Sequence, residues 1–243
     1  MGEEVGKKHI ENDEFTLFYD YDELRDGKLS KLSPNGKIEW FKFRMEAVFL
    51  LPLCKLFNRA SDTYKQLNSA PNTEWPWTAF MTGAFSLLLN GIEALGSFLP
   101  KNTTLTKEHY KKDKHSTNYF GFKQFIVKYM SKWDVEVEGT GYTNRNGDRF
   151  KKIYLPLILW DYFRNSITHA FVVQGGGIEF AADENPSGFE IKYNGYLEIG
   201  PINFFQDFEQ GVKLYFLDVK NLFQKEFLTS FDKAYPPQKA YHQ

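Results

Sequence analysis

The sequence predicts a mainly helical fold, a bundle of four to five helices with a small three-stranded antiparallel β-meander inserted before the last long helix. Three observations carry that expectation. Apolar residues recur at three- and four-residue steps through most of residues 36–235, the period of helices with one buried face. Residues 177–200 switch to period two and contain Asn194-Gly195, a strong short-range hairpin signal. Aromatic residues make up 18% of the chain, with 24 Phe, 14 Tyr and 5 Trp, so much of the core is expected to be rings.

Residues 1–35 read as a polar lead-in, with strand character at Phe15–Tyr19 and a turn signal at Ser33-Pro34-Asn35-Gly36. The first helix begins at Ile38. Its face is Ile38, Phe41, Met45, Val48, Phe49, Leu53, Leu56, Phe57 and Ala60. Pro52 is expected to kink or divide it, because proline lacks the backbone donor and collides with the preceding turn. The second helix starts near Thr73, with Pro76 in its first turn, and stops at Pro100. Trp77, Phe80, Met81, Ala84, Leu87, Leu88, Ile92, Leu95 and Leu99 form its apolar face. Gly83, Gly91 and Gly96 each weaken such a helix by about 1 kcal/mol relative to Ala, which is tolerated where a neighbour packs close. Glu93 is a lone acid late in this apolar helix.

Residues 101–116 are a Lys-rich loop. Tyr119 to Trp133 reads as a third helix, striped by Phe122, Phe125, Ile126, Tyr129 and Met130, with Lys123, Lys128 and Lys132 pointing away from the stripe. Residues 134–150 are irregular or a loose hairpin turning at Asn146-Gly147. A fourth helix runs from Leu155 to Val172, with Pro156 in its first turn. It buries Leu159, Phe163, Ile167, Ala170 and Phe171 and carries Asp161, Arg164, Asn165, Thr168 and His169 on the other side. Gly175-Gly176-Gly177 forms a flexible exit into strands at 178–181, 189–193 and 196–199. A long fifth helix follows from Pro201 or Asn203 to about Phe231, and residues 236–243 form a tail. The expected division is therefore a lead-in (1–35), one helical domain (36–235) and that tail.

Composition narrows the function classes. The single cysteine, Cys54, excludes an internal disulfide and a Cys-based zinc cage, and fits a reducing cytoplasm. The N-terminus lacks the apolar stretch of a signal peptide, and the longest apolar run, Ala47 to Cys54, is too short to span a bilayer. A cytoplasmic protein without membrane anchorage is expected. Net charge is only −1, but residues 101–152 hold 12 Lys+Arg against 6 Asp+Glu. Residues 1–26 carry nine acids against three basic residues. A basic centre suits an anionic partner, and an acidic start could compete for it, although both could equally be solvated surface.

The chemistry-bearing pattern is Arg164-Asn165-Ser166-Ile167-Thr168-His169. Five steps on a helix rotate about 140°, so Arg164 and His169 share a broad polar face. Asn165 lies four positions before His169 and is placed to orient the imidazole, and Asp161 lies one turn before Arg164 and is placed to hold it. A guanidinium grips phosphate through a planar fork, and histidine exchanges protons near neutrality. One Arg and one His over a phosphodiester suffice to cleave RNA without metal. The plainer alternative pairs Arg164 with Asp161 and leaves His169 hydrogen-bonded near a helix end.

The stretch from Leu159 to Phe171 resembles the signature of the HEPN superfamily (higher eukaryotes and prokaryotes nucleotide-binding domains), all-helical bundles with an Arg-x4–6-His motif. The resemblance implies a metal-independent endoribonuclease site composed across a homodimer, with Arg164 and His169 as the catalytic pair and Asn165 as the accessory polar residue. It also admits a non-catalytic module that binds a nucleotide, RNA or a protein partner. Asp161, Thr168 and Glu93 are the supporting residues; Glu93 could face Arg164 across the bundle and hold it, although a lone helical Glu is more often simply exposed. Lys107, Lys111, Lys112, Lys114, Arg145, Arg149, Lys151 and Lys152 are the candidates for RNA-backbone contact. No cofactor is expected. No metal is expected either: His109, Asp113 and His115 lie among lysines that repel a cation. Gly175-Gly176-Gly177 lacks the preceding strand and the Lys-Ser/Thr pair of a phosphate-binding loop.

Overall fold

The computed structural model describes residues 7–10, 13–16, 27–58, 77–100, 117–143, 147, 149–165 and 175–236. The fold is mainly helical, with small sheets of two and three strands. Among the described residues no helix is long and apolar enough to cross a membrane.

Two short strands, β1 (Lys7–Ile10) and β2 (Asp13–Thr16), pair antiparallel in the lead-in. Strand character thus covers Asp13–Thr16, while residues 17–19 lie outside the described residues. Helix α1 starts earlier than its apolar period, at Pro34. The Ser33 side chain accepts from the Gly36 backbone N–H at 3.0 Å, so Ser33-Pro34-Asn35-Gly36 is a helix cap with proline in the first turn, not a separate turn. The helix is α over Pro34–Arg44, widens to a π-helix over Met45–Leu50 and returns to α over residues 51–58. Pro52 therefore does not divide it into separate helices; the helical run continues past the proline through a π turn. The Leu51 N–H reaches back five residues to the Glu46 carbonyl, and this wider turn makes room for the proline ring.

Helices α2 (Trp77–Ser97) and α3 (Thr117–Tyr129) cross backbone to backbone at Gly96 and Gly121. Thr73 and Pro76, the expected start of α2, lie outside the described residues. A 3-10 turn at Ser131–Trp133 follows α3. The expected α3 stripe is buried, but Lys123 does not point outward. It is 4% exposed, and its ammonium lies 4.6 Å from the Tyr154 ring centroid. Burial pushes its pKa down against the pull of Asp134.

Strand β3 (Glu136–Glu138) pairs antiparallel with β4 (Lys152–Tyr154), with a bridge between Thr143 and Arg149; Asn146 of the expected turn lies outside the described residues. Helix α4 leaves β4 directly, α over Leu155–Ile158 and π over Leu159–Asn165. Residues 166–174, the remainder of the expected fourth helix, lie outside the described residues.

The three-stranded sheet is not an antiparallel meander. Its order is β5 (Gly176–Ile178), β7 (Leu197–Ile199), β6 (Phe189–Ile191), with β5 parallel and β6 antiparallel to β7. The Asn194-Gly195 hairpin joins β6 to β7, with Gly195 at φ 82°. A 3-10 turn at Phe180–Glu184 carries the chain from β5 toward β6. The three glycines are packing sites and not a flexible exit. A Cβ at Gly176 would meet the Leu197 carbonyl and the Phe163 ring, each at 2.7 Å, and one at Gly177 would meet the Tyr196 hydroxyl at 2.7 Å.

The last long helix is two helices, α5 (Pro201–Asn221) and α6 (Gln224–Ala234), separated by the non-helical pair Leu222 and Phe223. The break lets Phe227 and Phe231 fold back onto Phe41 and Trp40 of α1, with ring centroids 5.5 and 5.8 Å apart. Helix α5 is central: Phe204 packs on Phe85 of α2, and Phe208 and Tyr215 pack on Phe125 of α3. Its first residue follows Gly200, which has no capping side chain. Asp183 supplies the cap from the 3-10 turn, accepting from the Asn203 N–H at 2.8 Å and the Ile202 N–H at 3.2 Å. Asp183→Ala is expected to cost about 1–2 kcal/mol in urea denaturation, the value of a lost cap, with activity judged separately.

Candidate functional site

The described half of the motif is the π turn of α4. It buries Leu159, Trp160 and Phe163 and leaves Asp161, Tyr162, Arg164 and Asn165 half-buried. Expanded turns of this kind recur at functional sites. Phe163 anchors the turn against Phe85 of α2, with centroids 5.9 Å apart.

Arg164 is held from three sides. Its Nη2 is 2.6 Å from Glu93 Oε2 of α2, with both side chains mostly buried at 18% and 15% exposure. Its Nη1 donates to Asn165 Oδ1 at 3.0 Å. Its guanidinium carbon lies 4.7 Å from the Trp160 ring centroid. The structure therefore brings Glu93 to Arg164, across 71 positions of sequence.

Asp161 serves the neighbouring groups. Asn165 Nδ2 donates to Asp161 Oδ1 at 3.4 Å, and the Tyr142 hydroxyl donates to Asp161 Oδ2 at 2.5 Å. Asn165 thus links the carboxylate of Asp161 to the guanidinium of Arg164. Tyr162 stacks on Tyr142 at 4.9 Å, and its hydroxyl accepts from the Thr143 N–H at 3.0 Å. The site is a continuous polar chain: Tyr142, Asp161, Asn165, Arg164, Glu93. A guanidinium fixed in this way keeps its orientation without reorganising when charge develops beside it.

His169 and Thr168 lie outside the described residues, as do Lys107, Lys111, Lys112, Lys114 and Arg145. Of the other basic candidates, Arg149, Lys151 and Lys152 are exposed at or just before β4. Lys152 pairs with Glu138 at 2.5 Å. The positive balance of residues 101–152 is partly answered elsewhere in the fold, because Lys128 pairs with Asp218 at 2.7 Å and Lys132 lies 3.5 Å from Asp207. Among the described residues no three of His, Cys, Asp and Glu cluster as a metal set would require; His109, Asp113 and His115 fall outside them.

Sequence reasoning missed Tyr142, Trp160 and Tyr162. The spacing of Trp160 and Arg164 carries a usable signal, since residues four apart on a helix are neighbours. Tyr142 carries none, because it sits in a segment without periodicity. Comparison of the chain with protein-family models, with curated proteins and with solved structures finds no match.

Proposed function

We propose that this protein is a metal-independent endoribonuclease of the HEPN type, acting in the cytoplasm as a homodimer that brings two motif helices together. The observation that supports the reading best is the three-sided fixation of Arg164 at the start of the Arg-x4-His stretch. An arginine serving only solubility needs no such support.

In this reading the RNA 2′-hydroxyl attacks the adjacent phosphorus. His169 takes the hydroxyl proton as the bond forms, and a proton returns to the departing 5′-oxygen. Arg164 stabilises the charge growing on the non-bridging oxygens, and Asn165 keeps the guanidinium turned toward them. The products are a 2′,3′-cyclic phosphate and a 5′-hydroxyl. The test is incubation of the full chain with single-stranded RNA in excess EDTA. Cleavage with cyclic-phosphate ends is expected, and intact RNA at micromolar protein overturns the reading.

One observation favours a second reading. The 2.6 Å pair with Glu93 occupies one edge of the guanidinium, as a purely structural tie would. The chain would then be a non-catalytic module that binds a nucleotide, RNA or a protein partner.

A further inference from the structure

Strands β3 and β4 and the described residues between them carry an exposed aromatic ring, Phe150, among basic residues already named as candidates for RNA-backbone contact, and the catalytic reading gives that ring no role. Arg149, Phe150, Lys151 and Lys152 are consecutive and exposed, and Phe150 is 40% exposed. Among the described residues Arg149 and Lys151 form no ion pair, whereas Lys152 is tied to Glu138. Phe150 is not a loosely hanging side chain. Its backbone N–H donates to the Tyr142 carbonyl at 3.1 Å, and its ring centroid lies 6.0 Å from that of Tyr142.

This β3–β4 unit is also fixed to the motif helix. Tyr142 reaches Asp161, and Thr143 reaches Tyr162, three and two positions before Arg164. Tyr162 is backed by Gly175, where a Cβ would meet its ring at 2.6 Å. On its other side the unit lies against the Asn194-Gly195 turn, because a Cβ at Gly195 would meet the Gly139 carbonyl at 2.7 Å. A ring seated beside Tyr142 and flanked in sequence by two cations is thus mounted on the element that holds the motif.

We infer that this unit is a binding arm for single-stranded RNA, with Phe150 stacking on one base and Arg149 and Lys151 contacting the flanking phosphates. The choice of RNA rests on the proposed function above; the surface itself argues for an unpaired nucleic-acid strand. A base offers a flat π face next to a charged backbone, and this pattern of ring and cations matches both. A duplex hides its base faces. A protein-docking patch is depleted in lysine at its centre, whereas Arg149, Lys151 and Lys152 surround this ring in sequence.

The experiment is fluorescence anisotropy with the full chain and a labelled, 2′-O-methylated single-stranded oligoribonucleotide, beside a blunt duplex of the same length. Phe150→Ile keeps an apolar side chain and removes the π face. It is expected to weaken single-strand binding about 5- to 100-fold and to leave duplex binding unchanged. Phe150→Tyr is expected to restore binding. Arg149→Ala and Lys151→Ala are each expected to lower the slope of log affinity against log salt by about one. Wild-type affinity in Phe150→Ile overturns the inference and leaves the ring as a protein-facing residue; equal losses on single strand and duplex also overturn it. The oligonucleotide lacks the attacking hydroxyl, so the result does not depend on Arg164 or His169. A chain that binds in this manner and cleaves nothing retains this inference and loses the nuclease reading.

Discussion

Arg164→Ala and His169→Ala are each expected to abolish RNA cleavage, by about 10²- to 10⁴-fold, while the helical fold survives. The two losses have different companions. Arg164→Ala leaves the mostly buried Glu93 without its cation, and is expected to cost about 2 kcal/mol of stability, below the range for a fully buried pair because both groups keep some exposure. Arg164→Lys separates catalysis from the structural tie. Lysine keeps a charge for Glu93 but loses the planar fork that spans Glu93 and Asn165. The catalytic reading expects Arg164→Lys to recover most of the stability and little of the cleavage rate. The structural-tie reading expects both to recover together. Cleavage rates and thermal unfolding measured on the same protein samples decide between them. Full activity in either alanine variant, whatever its unfolding temperature, rejects the assignment of that residue.

Helix faces were legible because burial repeats. Ile38 and Phe41 before the π turn, Met45 at its start, and Leu53 and Phe57 after it are buried, whereas Val48 and Phe49 within it and Leu56 beyond it are half-buried. What periodicity cannot see is a break that preserves it. Val219, Phe223, Phe227 and Phe231 keep a four-residue step across Leu222 and Phe223, although the chain turns there; Leu222, 69% exposed, marks the corner. The parallel strand was illegible for a different reason. Gly176-Gly177-Ile178 has one apolar side chain, so no alternation exists, and its place beside β7 is set by how closely glycine lets two backbones approach. Lys123 misled because an amphipathic side chain can bury its stem and lay its ammonium on a ring. At the site, Glu93 stood as one candidate partner of Arg164 against simple exposure, and the fold brings the two to 2.6 Å. The Tyr142–Asp161 bond joins a loop residue to a helix and has no local signature.

The largest expected stability effect lies far from the motif, at the crossing of α2 and α3. Three glycines on α2 share one chemical weakness and meet three surroundings. At Gly83 an added Cβ finds nothing within 4 Å, so Gly83→Ala is expected to stabilise by up to about 1 kcal/mol, the helix-propensity difference alone. At Gly91 it meets the Phe208 ring at 3.0 Å and the Phe49 ring at 3.3 Å, side chains that can shift, and the propensity gain offsets part of the strain. At Gly96 it falls on the Gly121 carbonyl, and backbone cannot step aside without moving the helix. Parting α2 from α3 would loosen Leu95, Phe122 and Phe125, all fully buried in the core. Gly96→Ala is therefore expected to lose about 3 kcal/mol net, the upper end for overpacking, and to lower Tm by about 10 °C in a chain of this size. Gly121→Ala is expected to behave alike, because its Cβ would lie 2.9 Å from the Gly96 carbonyl carbon. Urea denaturation of the three α2 variants checks the order Gly83, Gly91, Gly96 from most to least stable. A Gly96→Ala protein as stable as wild type would rule out the close crossing and, with it, the placement of Glu93 opposite Arg164, since both depend on where α2 sits in the bundle.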